Sequence, residues 1–279
     1  MVLFPNAKIN LGLNITQKRE DGFHNLETIF APIDLCDILE FVESKLFNFT
    51  TSGLEIDGEH SNNLCIKAYN LIKQEYKIPN IAIHLHKVIP FGAGLGGGSS
   101  DAAFMIKGLN KLFELNISIE KQKQIALKLG SDCPVFIENN AVYASGRGEV
   151  FTEISFYHEY KIVVIKPNIL ISTKEAYSLI TPKKREKSLL NQYQKFNNEW
   201  LSGLENDFEK PIFQKYPIIA KIKELMYTNG AIYASMSGSG SAIYGLFETE
   251  PDLSNFGKQD FIWKGVVLNI FKSRDFQFD

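Results

Sequence analysis

A dense cluster of glycines follows a predicted strand and constrains the middle of this chain. Residues 90–100 read PFGAGLGGGSS, which places five glycines among eleven residues. Residues 81–88 alternate apolar and polar side chains, as a half-buried strand does, and lead directly into the glycines. In residues 102–113 apolar side chains recur at helical spacing, and either Ser99 or Ser100 is predicted to cap that helix. The expected arrangement is therefore strand, glycine loop and helix.

Bare backbone before a helix is suited to binding an anion. Without Cβ atoms, peptide N–H groups approach a ligand closely, and the helix N-terminus adds the positive end of its dipole. A triphosphate fits this charge pattern, and the hydroxyl of Ser100 is a candidate magnesium ligand between phosphates. Asp101 is expected to pair with the helix dipole in the first turn. A plain tight turn or a flexible loop is the alternative.

Two other phosphate-binding motifs fit the same segment less well. Gly92, Gly94 and Gly97 satisfy G-x-G-x-x-G, but the dinucleotide fingerprint opens a first βαβ unit and needs an acidic residue after the next strand. Here a long strand-rich stretch precedes the loop, and the segment after the first helix looks helical. A Walker A loop requires Gly-Lys-Ser/Thr, whereas the residues after Gly97 are Gly98, Ser99 and Ser100.

Composition is that of an ordinary folded protein. The 279 residues are 44% hydrophobic and 22% charged, enough for one large or two modest domains. The net charge of −2 gives no broad attraction for nucleic acid or an anionic membrane. Cys36, Cys65 and Cys133 are far apart and odd in number, which disfavours disulfides and a zinc site. With no targeting or membrane-spanning segment visible, we expect a cytoplasmic protein with neither nucleic-acid nor membrane partners.

Hydrophobic periodicity predicts two α+β units. Early strands are expected at residues 8–16, 26–33, 37–44 and 46–50, and helices at 63–76 and 119–129. After residue 160 the pattern restarts with a strand at 161–167, helices at 174–179 and 217–228, and strands at 231–237 and 241–247. We therefore predict an α+β protein with two domains, residues 1–157 and 158–279.

Three motifs, taken together, resemble one superfamily. PFGAGLGGGSSDAA at 90–103 is similar to the phosphate-binding motif of the GHMP kinases, and AKINLGLNI at 7–15 and MSGSGSA at 236–242 fit the same superfamily. The resemblance implies the two-domain GHMP kinase fold with the active site in the cleft between domains. It also implies ATP with Mg²⁺ as co-substrate and no tightly bound cofactor. The implied ATP-binding residues are Pro90, Phe91, Gly92, Ala93, Gly94, Leu95, Gly96, Gly97, Gly98, Ser99 and Ser100.

Two further segments narrow the resemblance. DGFHNLETIF at 21–30 and LGSDCPVFI at 129–137 are similar to the branch that phosphorylates a small alcohol carrying cytidine diphosphate. That branch transfers the γ-phosphoryl group of ATP to the 2-hydroxyl of a methylerythritol unit, in non-mevalonate isoprenoid biosynthesis. The resemblance implies that Lys8 and Asp132 form the catalytic pair, with Asp132 as proton acceptor. Considered alone, Asp132 would equally well cap a helix that has Pro134 in its first turn.

The resemblance also assigns a substrate site. It implies that His24 contacts the cytosine edge while Phe23 and Tyr177 flank its faces. Phe23 stands where the family more often has tyrosine, so stacking is kept and any hydroxyl contact is lost. Asn10 lies two residues along the strand from Lys8, faces the same way and is a candidate for bonding substrate hydroxyls. Core packing is the alternative for both aromatic residues.

Two alternative functions are left open. One is a GHMP kinase for another small alcohol, mevalonate-like or homoserine-like, against which the base-contacting pair Phe23 and His24 argues. The other is a catalytically inactive nucleotide-binding sensor on the same fold, against which the presence of both Lys8 and Asp132 argues. The sequence does not choose between a monomer and a homodimer, nor does it assign a role to residues 183–198.

Overall fold

The computed structural model describes residues 1–55, 60–155, 160–183, 185–193 and 200–268. The strands are β1 Val2–Leu3, β2 Asn6–Lys18, β3 His24–Cys36, β4 Ile38–Glu43, β5 Asn48–Gly53, β6 Ile81–Lys87, β7 Val142–Ser145, β8 Val150–Glu153, β9 Lys161–Lys166, β10 Tyr233–Met236, β11 Ile243–Phe247 and β12 Phe261–Val266. The α-helices are α1 Leu64–Tyr76, α2 Gly97–Leu112, α3 Ile119–Leu127, α4 Val135–Glu138, α5 Thr173–Ser178, α6 Leu189–Tyr193, α7 Glu209–Lys215 and α8 Pro217–Thr228. No described helix combines the length and apolarity that a bilayer span requires.

A four-stranded sheet in the order β1-β4-β6-β5 supports the glycine loop. β4 pairs antiparallel with β6, whereas β5 runs parallel to β6. Leu39, Phe41, Ile83 and Leu85 are buried on one face of this sheet, in the same cluster as the apolar sides of α1 and α2. They share that face because alternate side chains of a strand point the same way. The glycine loop thus connects the end of β6 to the start of α2.

Two antiparallel sheets build the rest of the described chain, in the orders β2-β3-β7-β8 and β10-β11-β9-β12. One hydrophobic cluster joins them, and it includes Ile9 and Leu11 of β2 together with Ile162 and Val164 of β9. Within the same cluster, the hydroxyl of Tyr244 on β11 donates to the backbone oxygen of Asn10 at 2.7 Å. Early and late parts of the chain therefore share a core.

Most predicted elements are present with shifted ends. The helix predicted at 63–76 is α1, whose N-cap Asn63 accepts from the amide of Cys65, and the helix predicted at 217–228 coincides with α8. Six elements of four to seven residues, α4, α6, α7, β7, β8 and β12, were not predicted. Segments this short contain too few periods to distinguish helix, strand and loop.

The division into two domains stays a prediction. Its boundary, residue 157, lies outside the described residues, as do parts of the stretch 183–198. The first two sheets use strands between residues 2 and 153, and the third uses strands between residues 161 and 266.

A buried ionic cluster lies beneath the glycine loop. Lys87, at the end of β6, donates to Asp37 and to Asp101, the latter at 2.7 Å. Asp37 also accepts from the amides of Val88 and Ile89 at 2.7 and 2.9 Å. Burial raises the pKa of Asp101 above its usual range, against the opposing effect of the Lys87 ammonium. The cluster ties the sheet to α2.

The predicted pairing of Asp101 with the helix dipole is wrong. α2 begins at Gly97 and has no acidic residue in its first turn, so Asp101 lies beyond the turn in which the dipole acts. Its partner is the side chain of Lys87 instead.

We predict that Lys87→Met lowers the free energy of unfolding by about 3–5 kcal/mol, because removing one partner leaves a buried charge uncompensated. Urea unfolding followed by circular dichroism measures the loss. Lys111→Met, at an exposed position of α2, is the control and should change stability by no more than about 0.5 kcal/mol. Equal stability of the two variants would show that the cluster does not contribute to the free energy of unfolding.

Candidate active site

Positive φ angles at three glycines shape the loop between β6 and α2. Gly92, Gly94 and Gly96 have φ angles of 61°, 75° and 73°, in a region that L side chains rarely adopt. A Cβ atom on Gly94 would lie 1.9 Å from the backbone oxygen of Ser237. The loop therefore requires glycine for its conformation and for its close approach to the chain near Ser237.

The N-terminus of α2 has no side-chain cap. Gly96 is the N-cap, in the left-handed conformation, and the helix begins at Gly97. The prediction that Ser99 or Ser100 caps this helix is wrong, because both serines lie inside it. Among the described residues no side chain caps α2, so its first amides are available to an anion.

Three sequence motifs meet at one carbonyl group. The backbone oxygen of Gly94 accepts a hydrogen bond from Nζ of Lys8 and another from Oγ of Ser237, both at 2.8 Å. Nearby, the amide of Lys8 donates to the oxygen of Leu95 at 2.9 Å, and that of Ala242 donates to Ala93 at 3.2 Å. The N-terminal motif, the glycine loop and the late glycine motif, far apart in sequence, thus form one connected structure.

A cavity of about 410 Å³ lies on the glycine loop. Every residue of the segment 90–99 lines it, whereas Ser100 is fully buried and does not. The cavity is also lined by apolar and amide side chains that were not predicted as site residues: Phe49, Leu54, Asn62, Asn63 and Leu64. Phe49 lies in a predicted strand, and Asn63 and Leu64 lie in a predicted helix, neither of which points to a ligand.

Lys8 and Asp132 lie next to each other, as the resemblance implied. Nζ of Lys8 is 3.7 Å from Oδ2 of Asp132, and the lysine side chain is 4% exposed while the aspartate is 39% exposed. Nζ also donates to Oδ1 of Asn10 at 2.6 Å and lies 5.2 Å from the ring centre of Phe30. Burial lowers the pKa of Lys8, and the neighbouring Asp132 carboxylate partly restores it. An ordered ammonium group therefore faces a solvent-accessible carboxylate.

The capping alternative for Asp132 is not supported. The short helix that follows, α4, begins at Val135 with Pro134 as its N-cap and has no side-chain cap. The carboxylate of Asp132 is instead next to Lys8 and 3.9 Å from the position that a Cβ on Gly148 would occupy.

Asn10 belongs to an internal hydrogen-bond chain. Its Oδ1 accepts from Lys8, and its Nδ2 donates to Oγ1 of Thr28 at 2.9 Å. Oγ1 of Thr28 in turn donates to the backbone oxygen of Gly12 at 2.6 Å. Asn10 is 2% exposed, so the contact that this geometry shows is with the ammonium of Lys8, and contact with a substrate hydroxyl stays a prediction.

The structure brings His24 and Tyr177 together. Their rings stack with centroids 4.8 Å apart and planes inclined by 26°. Tyr177 also meets Phe208 edge to face at 5.0 Å, so its ring packs partly against the core. Burial, followed by the charge of Lys18, lowers the pKa of His24 and favours the neutral imidazole, which offers one donor and one acceptor.

Phe23 stands apart from that stack. Its side chain is 52% exposed, and no ring contact with Tyr177 occurs among the described residues. The guanidinium carbon of Arg147 lies 4.9 Å from the ring centre of Phe23. Arg147 was missed in the sequence, where it stands in a glycine-rich turn with no periodicity.

Two family descriptions match this chain. Residues 63–139 match the family described as "GHMP kinases N terminal domain", and residues 187–259 match "GHMP kinases C terminal". The fold and the glycine loop thus define an ATP-dependent kinase of the GHMP class. Mevalonate kinase from L. major superimposes with a TM-score of 0.69 at 18% identity over 96% of each chain, which supports the fold.

Relatives define the family more narrowly. The 4-diphosphocytidyl-2-C-methyl-D-erythritol kinase of Parabacteroides distasonis is 46% identical over 96% of this chain and 100% of its own length. That of Azobacteroides pseudotrichonymphae is 51% identical over 89% and 94%. A crystal structure of 4-(cytidine 5'-diphospho)-2C-methyl-D-erythritol kinase superimposes with a TM-score of 0.80 at 29% identity over 96% and 99%. The chain belongs to the 4-diphosphocytidyl-2-C-methyl-D-erythritol kinase family.

We predict different effects on stability for alanine at two glycines, one in the loop and one in the first turn of α2. Gly94→Ala places a Cβ against the oxygen of Ser237 and strains a positive φ, so it should lower the free energy of unfolding by about 1–3 kcal/mol. Gly98→Ala meets only Leu64, at 3.8 Å, and should be neutral or stabilising by up to about 1 kcal/mol. Thermal and urea unfolding compare the two. A stable Gly94→Ala protein would show that the contact with Ser237 is dispensable.

Proposed function

We propose that this chain transfers the γ-phosphoryl group of ATP to the 2-hydroxyl of 4-diphosphocytidyl-2-C-methyl-D-erythritol, a step of non-mevalonate isoprenoid biosynthesis. The observation that carries the proposal is the ion pair of Lys8 and Asp132 beside the carbonyl of Gly94. An acid–base pair joined to a phosphate-binding loop is what phosphoryl transfer to an alcohol needs. The cytoplasmic location and a monomeric or homodimeric state stay predictions from the sequence.

ATP fits the cavity on the glycine loop. The uncapped amides at the start of α2 and the bare backbone of residues 92–98 suit a triphosphate. Phe49, Leu54 and Leu64, which also line the cavity, suit the apolar faces of a nucleoside, and Asn62 offers amide groups for hydrogen bonds to it. We therefore assign residues 90–99 to ATP.

The residues at the start of α2 also fit a magnesium ion that accompanies ATP, as GHMP kinases generally require. Oγ of Ser100 is buried and has no hydrogen-bond partner among the described residues, while Ser99 is half-buried and lines the cavity. No group of three or more His, Cys, Asp or Glu side chains in that part of the chain is arranged to hold a metal. The hydroxyl of Ser99, which lines the cavity, would thus supplement phosphate oxygens as a ligand, and the bound ion would offset phosphate charge. The predicted role of Ser100 requires its buried hydroxyl to become accessible.

Asp132 and Lys8 have different roles in the proposed reaction: one accepts a proton and the other stabilises a developing negative charge. The substrate oxygen forms a bond to the γ-phosphorus while the bond from that phosphorus to the β–γ bridging oxygen breaks, and ADP leaves. Asp132, the exposed member of the pair, accepts the hydroxyl proton. The buried ammonium of Lys8, oriented by Asn10 and Gly94, stabilises the negative charge that develops on the attacking oxygen.

The cytidine end of the substrate is assigned to Phe23, His24 and Tyr177. An exposed phenyl ring offers a stacking face, and a neutral imidazole can donate to or accept from a base edge. Because His24 and Tyr177 stack directly on each other at 4.8 Å, a base enters between them only if one ring moves. We assign the open face of Phe23 to the base and the imidazole nitrogens of His24 to its edge.

The substrate is tested by ADP release with three alcohols: 4-diphosphocytidyl-2-C-methyl-D-erythritol, mevalonate and homoserine. We expect turnover of the first alone, because the other two have no base for Phe23 and His24. Turnover of mevalonate or homoserine would establish a different GHMP kinase. ATP binding without turnover of any of the three would establish the sensor.

We predict that Asp132→Asn lowers kcat by about 10²–10⁴-fold with little change in substrate binding, since it removes the proton acceptor and keeps the size of the side chain. Steady-state kinetics and a thermal melt measure both properties on one protein. Lys8→Ala should also lower kcat, and the double variant should lose less than the product of the single losses because the two residues act together. Glu224→Gln, at an exposed position of α8, is the control for general charge loss. Wild-type turnover by Asp132→Asn would exclude this mechanism.

A further inference from the structure

A two-glycine turn holds one arginine in a defined place. Gly146 and Gly148, with φ angles of 69° and 105°, bracket Arg147 in the turn between β7 and β8. The turn is anchored by hydrogen bonds from the amide of Leu26 to the oxygen of Gly146 at 2.7 Å and from the amide of Gly148 to Ser145 at 3.0 Å. The backbone at Arg147 is therefore fixed, and its side chain extends from a rigid base.

The charged end of Arg147 is only partly engaged. Its Nε lies 3.4 Å from Oε1 of Glu149, and its side chain is 30% exposed. The guanidinium covers one face of the Phe23 ring, with its carbon 4.9 Å from the ring centre. Among the described residues neither Nη1 nor Nη2 has a hydrogen bond. These two nitrogens form the fork that binds phosphate in a bidentate manner.

The same turn spans the distance between the two ends of the substrate site. At one end Arg147 contacts Phe23, the assigned base platform. At the other, the Cα of Gly148 faces the catalytic carboxylate, since a Cβ there would lie 3.9 Å from Oδ1 of Asp132. In the proposed substrate a diphosphate connects the base to the alcohol. A molecule with its base on Phe23 and its hydroxyl at Asp132 must carry its diphosphate past residues 147–148.

We infer that Arg147 binds the diphosphate of the cytidine substrate and thereby distinguishes the nucleoside diphosphate from the free nucleoside. The inference rests on the proposed function, because it uses the assigned positions of the base and the hydroxyl. The contact with Phe23 places the guanidinium 4.9 Å from the centre of the ring to which the base is assigned. Glu149 contacts Nε and leaves Nη1 and Nη2 for a phosphate.

The test compares the binding of CDP and cytidine by calorimetry. Arg147→Met should weaken CDP binding roughly ten- to a hundredfold, the scale of a charge-assisted hydrogen bond, and leave cytidine and ATP unchanged. Arg147→Lys keeps the charge without the fork and should lose less. His24→Ala should show the opposite pattern and weaken cytidine and CDP alike, since both carry the base. Lys111→Met, which removes one positive charge at an exposed position of α2, is the control and should change neither.

The outcomes separate the inference from the function on which it rests. Unchanged CDP binding by Arg147→Met, or equal losses for CDP and cytidine, would overturn the inference and leave Arg147 as a brace for Phe23. A wild-type protein that binds ATP but neither CDP nor cytidine would overturn the proposed function, and the inference with it. If Arg147→Met melts early, Arg147→Lys alone decides, because a diphosphate ligand predicts a selective loss for CDP there as well.

Discussion

The carbonyl oxygen of Gly94 is the acceptor on which the site depends. It takes hydrogen bonds from the ammonium of Lys8 and the hydroxyl of Ser237, groups that belong to opposite ends of the chain. Both donors are buried, so either would lose free energy if the oxygen were displaced. The approach is possible because Gly94 has no Cβ, and this one contact positions the glycine loop and the Lys8 ammonium together.

Gly96 adjoins both the cavity and Lys8. A Cβ on Gly96 would lie 3.2 Å from Cε of Lys8, and the same residue lines the cavity. A triphosphate bound on the loop would therefore lie close to the ammonium without displacing it from Gly94. This closeness explains how one rigid segment can both bind the donor nucleotide and position the charge that assists transfer.

The ionic groups near the loop fall into two sets with different roles. Lys87 lies under the loop between Asp37 and Asp101, where its charge is compensated inside the fold and contributes to structure. Lys8 is paired with the half-exposed carboxylate of Asp132, which a substrate can reach. Both lysines are buried, so burial alone does not distinguish them. The accessible carboxylate of Asp132 is what favours Lys8 for the proposed catalytic role.

The local sequence by itself determined the elements with a strong repeating signal and the residues within recognisable motifs. Alternation predicted the strand before the loop, helical spacing predicted α1, α2 and α8, and the motifs made Lys8, Asp132 and residues 90–100 candidates for the site. Tertiary structure decided what depends on partners distant in the chain. It paired Asp101 with Lys87 instead of the helix dipole, supplied the wall with Phe49 and Leu64, and stacked His24 on Tyr177. Local patterns record conformational preference and burial, whereas these contacts depend on which surfaces meet when the sheets pack.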